Sequence, residues 1–154
     1  MKKLFLIFLT TILISACGTA QAPKHHEPLS NFYGETWQLH GFQVTDKDIE
    51  MTTQVDSAQP FTIVFKNDGS VAGKAHCNSF FGRYAFEGDR ISIFDIGSTK
   101  MYCGDNSRDQ DFLRGLERAT TIEIFRTDAM TPGTYRLLLH APENRALVFL
   151  KEGL

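Results

Sequence analysis

The amino-acid sequence predicts an α+β domain, mostly β, whose antiparallel strands form a small curled barrel or sandwich with one helix packed against it. Three observations carry that prediction. Short segments alternate apolar and polar residues with a period of two, as half-buried strands do. Turn-forming clusters rich in Gly, Asn, Asp and Pro join neighbouring segments directly, which favours antiparallel hairpins over a parallel sheet. A single stretch carries apolar residues at helical spacing instead.

In chain order, Thr36 to Val44 opens with Trp37 and Leu39 separated by a polar residue and reads as a strand. Phe61 to Lys66 is the next, followed by Asn67-Asp68-Gly69-Ser70, residues that tolerate positive φ, and Val71 to Ala75 returns antiparallel. A second hairpin runs from Gly82 to Phe86, turns at Glu87-Gly88-Asp89 and returns over Ile91 to Ile96. Ile122 to Arg126 adds a strand. Tyr135 to His140 and Ala146 to Lys151 close the chain through Ala141-Pro142-Glu143-Asn144. The helix is expected near residues 107–120, because Phe112, Leu113, Leu116 and Ala119 share a face, Asn106 or Ser107 can cap its start, and Asp109 and Asp111 suit its first turn. Its apolar stripe is about one face wide, so it is expected to cover one end of the strand layer.

Upstream of these elements, Lys2 and Lys3 precede an apolar run from Leu4 to Ile14, then Ser15, Ala16 and Cys17. That order reads as a secretory signal peptide. The run is too short to cross a bilayer core, which needs ~20 apolar residues. Ile14-Ser15-Ala16-Cys17 resembles the lipobox of bacterial lipoproteins, in which cleavage before the cysteine leaves it as the lipid-bearing N-terminus. Residues 1–16 are then the signal peptide, Cys17 the lipidation site, 17–31 a flexible tether and 32–154 the domain. Ordinary cleavage after Ala20-Gln21-Ala22 is the alternative. Fatty acyl chains contribute ~0.8 kcal/mol per buried methylene, so more than one chain anchors stably. By resemblance to Gram-negative lipoproteins, Gly18 in place of Asp implies sorting to the outer membrane, facing the periplasm. The tether carries two prolines and no apolar period, and its His25-His26 pair reads as solvated.

Without the leader, the 154-residue chain keeps 138 residues, one domain's worth. Such a domain buries roughly two thirds of the surface its unfolded chain exposes, and needs no metal to hold a core. Taking the two leader lysines from 16 basic residues leaves 14 against 18 acidic ones, a formal charge of about −4. Nothing basic is clustered, so neither nucleic acid nor anionic lipid head groups are expected partners.

Two segments flank the second hairpin: Gly73-Lys74-Ala75-His76-Cys77-Asn78-Ser79-Phe80-Phe81-Gly82-Arg83-Tyr84, and Ser98-Thr99-Lys100-Met101-Tyr102-Cys103. With Trp37 and Leu39 ahead of them and a helix and apolar strands behind, the chain from Thr36 to Lys151 resembles the META domain, or HslJ-like, family of bacterial envelope lipoproteins. The family pattern falls on Trp37, Gly73, Asn78, Gly82, Tyr84, Thr99 and Met101. His76 and Tyr102 depart from it, each placing bulk beside a cysteine. Read for themselves, these positions have architectural tasks. Gly73 and Gly82 permit bends or bulges that let a sheet curl, Asn78 can bond nearby backbone in a corner, and Phe80, Phe81 and Tyr84 supply apolar area.

An exported compartment oxidises thiols. Cys77 and Cys103 stand on either side of a hairpin whose ends meet, and a disulfide closing that loop contributes roughly 3 kcal/mol. Two buried free thiols are the alternative. A small enzyme of unknown class is a further alternative, but catalysis finds little support. Neighbouring strand residues point to opposite faces, so His76 and Cys77 would not form a base and nucleophile. His76, Cys77 and Cys103 lack the close spacing of a structural zinc site, and no G-x-S-x-G, Walker loop or H-E-x-x-H occurs. His40 and His140 stand alone, and the Asp46/Asp48 and Asp105/Asp109/Asp111 groups are solvated or serve a helix start. No cofactor or metal is implied. The resemblance implies a non-catalytic, lipid-anchored envelope module that binds a partner or protects the envelope under stress. The alternative is a pilotin-like carrier or chaperone that holds an apolar peptide or lipid in a cleft lined by some of the eleven phenylalanines left after Phe5 and Phe8 are removed.

Overall fold

The computed structural model describes residues 32–47, 49–56, 60–127 and 133–151. The expected signal peptide 1–16, lipidation site Cys17 and tether 17–31 lie outside the described residues. In chain order the elements are β1 (Trp37–Asp46), β2 (Ile49–Gln54), β3 (Phe61–Phe65), β4 (Ser70–Ala75), β5 (Asn78–Glu87), β6 (Arg90–Ser98), α1 (Asp109–Glu117), β7 (Thr121–Thr127), β8 (Thr134–Ala141) and β9 (Arg145–Lys151).

Every strand pairing is antiparallel, in the order β2-β1-β3-β4-β5-β6-β7-β8-β9, and β1 also pairs with β9. The sheet therefore curls until it meets itself, and β2 is left outside as a ribbon on β1. β1 manages this by dividing one edge. Trp37 and Gln38 face β3, while Gly41–Asp46 face β2. Its other edge follows β9 from Gln38 to Val44.

Closure is weakest between β6 and β7, where one ladder pair, Arg90 with Thr121, is supported by Ile91 N–H donating to Thr120 O and Ile122 N–H to Asp89 O. The connection across that seam contains α1, which turns Phe112, Leu113 and Leu116 into the barrel. The Phe112 ring meets Phe61, Phe80 and Phe149 edge-on at centroid distances of 5.3, 5.7 and 6.1 Å. At the far end of β3, Phe32 closes the barrel against Phe65 at 4.5 Å and Phe86 at 5.5 Å. Each buried ring is worth ~1.5–3 kcal/mol of burial, and each edge-on pair adds about 1 kcal/mol. Phe32, Phe61, Phe65, Phe80, Phe112 and Phe149 are thus core, and do not line a cleft.

The fold class follows the sequence, with four local corrections. The ribbon β2 was not expected, since most of its side chains are exposed on both faces and it shows no alternation. β5 begins at Asn78 rather than Gly82, because the buried–exposed alternation runs unbroken from Asn78 to Ala85. The helix is shorter than 107–120. Arg108 occupies its cap position without a side-chain cap bond, while the Ser107 hydroxyl accepts the Asp109 N–H at 3.3 Å. The two glycines differ: Gly73 serves a close approach, and Gly82 faces a bulge. A Cβ on Gly73 would stand 2.0 Å from the Thr62 carbonyl oxygen, so only glycine lets β3 and β4 come together there. The bulge lies opposite Gly82, on β6, where Asp95 takes a φ of 54° and the register slips between Phe81 and Arg83.

Candidate functional site

The two motif segments meet at one corner. β4 turns into β5 through His76 and Cys77, with His76 at a φ of 58°. Its N–H donates to Pro60 O at 3.1 Å, its ring stacks on Phe61, and its Nδ1 lies 3.1 Å from the Ser107 hydroxyl. Cys77 is joined to Cys103 in a disulfide with Cα atoms 5.6 Å apart. Both sulfurs are thereby occupied, which removes the thiols needed for a nucleophile or a zinc site.

Asn78, only 1% exposed, holds the corner. Its Oδ1 accepts from Met101 N–H at 2.8 Å and from the Thr99 hydroxyl at 2.9 Å. Its Nδ2 donates to Met101 O at 3.1 Å and to Asp109 Oδ2 at 3.2 Å. A buried amide left unmade would cost ~1–3 kcal/mol, so this full complement fixes the 99–103 segment against β5 and the helix start. The corner bonds reach backbone 23 residues away, not nearby as the sequence suggested. Thr99 also accepts the Ser79 N–H at 3.1 Å. Met101 contributes through its backbone, its side chain being exposed. Burial would raise the Asp109 carboxyl, but hydrogen bonds from Ser107, Gln110 and Asn78 win and hold it below the usual aspartate value.

The remaining motif residues are in the core. Trp37 is buried in the barrel. Tyr84 donates its hydroxyl to Lys66 O at 2.5 Å, and burial, followed by Tyr33 and Asp68, pushes its phenol up to about 12. His40 and His140 stay apart from this corner. Burial first, and then the Arg136 guanidinium, lowers the His40 imidazole, while His140 Nε2 lies 3.6 Å from Glu123 Oε1.

On its other side α1 borders a groove that the sequence did not reveal. Phe42 of β1, Leu139 and Ala141 of β8, and Leu147 of β9 supply apolar wall, and the helix supplies Arg108, Asp111, Gly115 and Arg118 at i, i+3, i+7 and i+10. Its volume is about 340 Å³, within the range of small-molecule sites. Gly115 brings the helix close to the floor, since a Cβ there would lie 3.1 Å from Leu147. The Arg108 guanidinium sits 3.7 Å over the centre of the Phe42 ring and 3.4 Å from Asp111. Arg118 and Arg145 both pair with Glu143, at 3.3 and 3.2 Å. Arg114 has no ion-pair partner among the described residues. Four guanidiniums against two carboxylates leave the rim with a formal charge of about +2, on a chain whose formal net charge is −2. The expectation that nothing basic is clustered is corrected here, because the fold brings Arg145 beside the arginines of the helix.

The sequence model of the META domain matches residues 30–153. No curated protein matches the chain. Among solved structures, the NMR structure of a protein from Burkholderia xenovorans superposes with a TM-score of 0.63 at 20% identity, covering 84% of this chain and 91% of that one. The crystal structure of a DUF4847 family protein from Bacteroides vulgatus gives 0.51 at 18% identity, covering 79% and 94%. At these identities the likeness is one of fold.

Proposed function

The chain belongs to the META domain family, and from that premise we propose that it is a non-catalytic, lipid-anchored recognition module of the cell envelope whose ligand seat is the groove between α1 and the strands β1, β8 and β9. The groove carries this reading. It pairs an apolar floor with a few charged groups at its edge, the composition of a binding site. The residues that looked most reactive in the sequence are committed elsewhere: Cys77 and Cys103 to each other, His76 to Phe61 and Ser107. Anchoring rests on the leader, with Cys17 acylated and the tether 17–31 carrying the domain off the outer membrane into the periplasm.

The floor also gives substance to the carrier alternative, moving its cleft from the phenylalanine core to the rim. Titration with the anionic, apolar dye 8-anilinonaphthalene-1-sulfonate tests the seat. One molecule is expected to bind per chain, and Ala141→Trp, which fills the groove wall, is expected to abolish binding without changing the melting temperature. Absence of dye binding by the folded wild type would overturn the ligand seat. Incorporation of labelled fatty acid that survives Cys17→Ser would overturn the anchor.

A further inference from the structure

We propose that the groove takes a small anionic amphiphile: one phosphate or carboxylate carried on a hydrocarbon body. This rests on the groove being the ligand seat and adds the chemistry of what sits there. Three features of the rim point the same way. Arg114 stands without an ion-pair partner among the described residues. Arg118 and Arg145 share the single carboxylate of Glu143, each through one nitrogen, so both keep donors free. Guanidiniums present forked donors that match the oxygen pairs of phosphate and carboxylate, so an anion entering here meets charge and geometry together. The body of the ligand has its own surface. Half-buried Phe42 and Ala141 supply it, with Leu139 and Leu147 buried in the core behind them, and Phe42 is already covered on one side by Arg108, an arrangement in which a flat cation backs an apolar wall. A cationic or neutral ligand would leave an excess of about two positive charges facing it uncompensated.

The chemistry fits a phospholipid head or a soluble alkyl phosphate alike, and the test separates these sources. The full chain is titrated calorimetrically with octyl phosphate, octanol and inorganic phosphate. Octyl phosphate is expected to bind one to one, about tenfold or more tighter than octanol, and to weaken as salt is added. The double variant Arg114→Gln, Arg145→Gln is expected to lose about tenfold in octyl phosphate affinity while octanol binding and the melting temperature stay unchanged, since both guanidiniums are exposed. Octanol binding as tightly as octyl phosphate would overturn the anionic assignment and leave the ligand seat intact. Inorganic phosphate binding as tightly as octyl phosphate would overturn the role of the floor. Failure of both octyl compounds to bind would overturn the seat as well. Recruitment of the unacylated Cys17→Ser form to phosphatidylcholine vesicles only when they contain phosphatidic acid identifies a bilayer lipid as the source, and octyl phosphate binding without recruitment identifies a soluble one.

Discussion

The Asn78 corner and the arginine-rimmed groove both border α1, yet they treat polar groups in opposite ways. At the corner each hydrogen-bonding atom of Asn78 has a partner, the two sulfurs are bonded to each other, and Asp109 is held ionised by its neighbours. At the groove four guanidiniums share two carboxylates above an apolar floor. A polar set that is closed on itself stabilises a fold and offers nothing to a ligand. An open one, kept at the surface where water solvates it at little cost, is available to bind. The motif that identifies the family is therefore closed on itself, and the surface proposed for recognition lies beside it.

This contrast can be broken by substitution. The largest effect is expected at Gly73, where Ala would drive a methyl into the Thr62 carbonyl and force β3 from β4. We expect a loss of about 4 kcal/mol in urea unfolding, or failure to fold. Wild-type stability would mean that the two strands do not approach as described. Next comes the paired change Cys77→Ser, Cys103→Ser, which opens a loop spanning 26 residues and should cost about 3–4 kcal/mol, with octyl phosphate affinity unchanged. Asn78→Ala should cost about 2–3 kcal/mol, since Met101 N–H and O and the Thr99 hydroxyl lose their partner. A loss of ligand binding larger than the loss of stability would place the corner in the recognition surface after all.

Smaller effects sharpen the comparison. The folded Asp109 carboxyl lies below its unfolded value of ~3.9, so its ionised form favours the fold. That contribution is present above about pH 4 and is lost as pH falls through the folded value. Asp109→Asn should accordingly lose stability at pH 7, by less than Asn78→Ala, and match wild type near pH 2. Equal curves at both pH values would remove Asp109 from the corner's accounting. Arg114→Gln should be the mildest change, within about 0.5 kcal/mol of wild type. A larger loss would make the groove another closed, structural set.

How much of this was legible in the sequence follows from which contacts are local. The hairpins β3–β4, β5–β6 and β8–β9 turn on Gly69, Gly88 and the Glu143-Asn144 pair, all at positive φ, and such turns are written in a few adjacent residues. β2 was invisible because it is held to β1 through its backbone and keeps no buried face. The sequence points to Asn78, but its partners at Thr99, Met101 and Asp109 depend on how the 99–103 segment folds back, which no local pattern encodes. The groove was out of reach for the same reason. Arg108 and Arg118 lie on one helix face, whereas Phe42, Leu147 and Arg145 arrive from strands that only barrel closure brings beside it. The helix was read for its apolar stripe, although its opposite stripe of Arg108, Asp111 and Arg118 carried the available signal.

The division between a structural corner and a recognising groove is tested most directly by following backbone amide shifts in NMR during titration with octyl phosphate. The account predicts saturable shifts centred on Phe42, Gly115, Arg118, Arg145 and Leu147, with Asn78, Thr99 and Cys103 unmoved. Shifts centred on Asn78, Met101 and Tyr102 instead would contradict it.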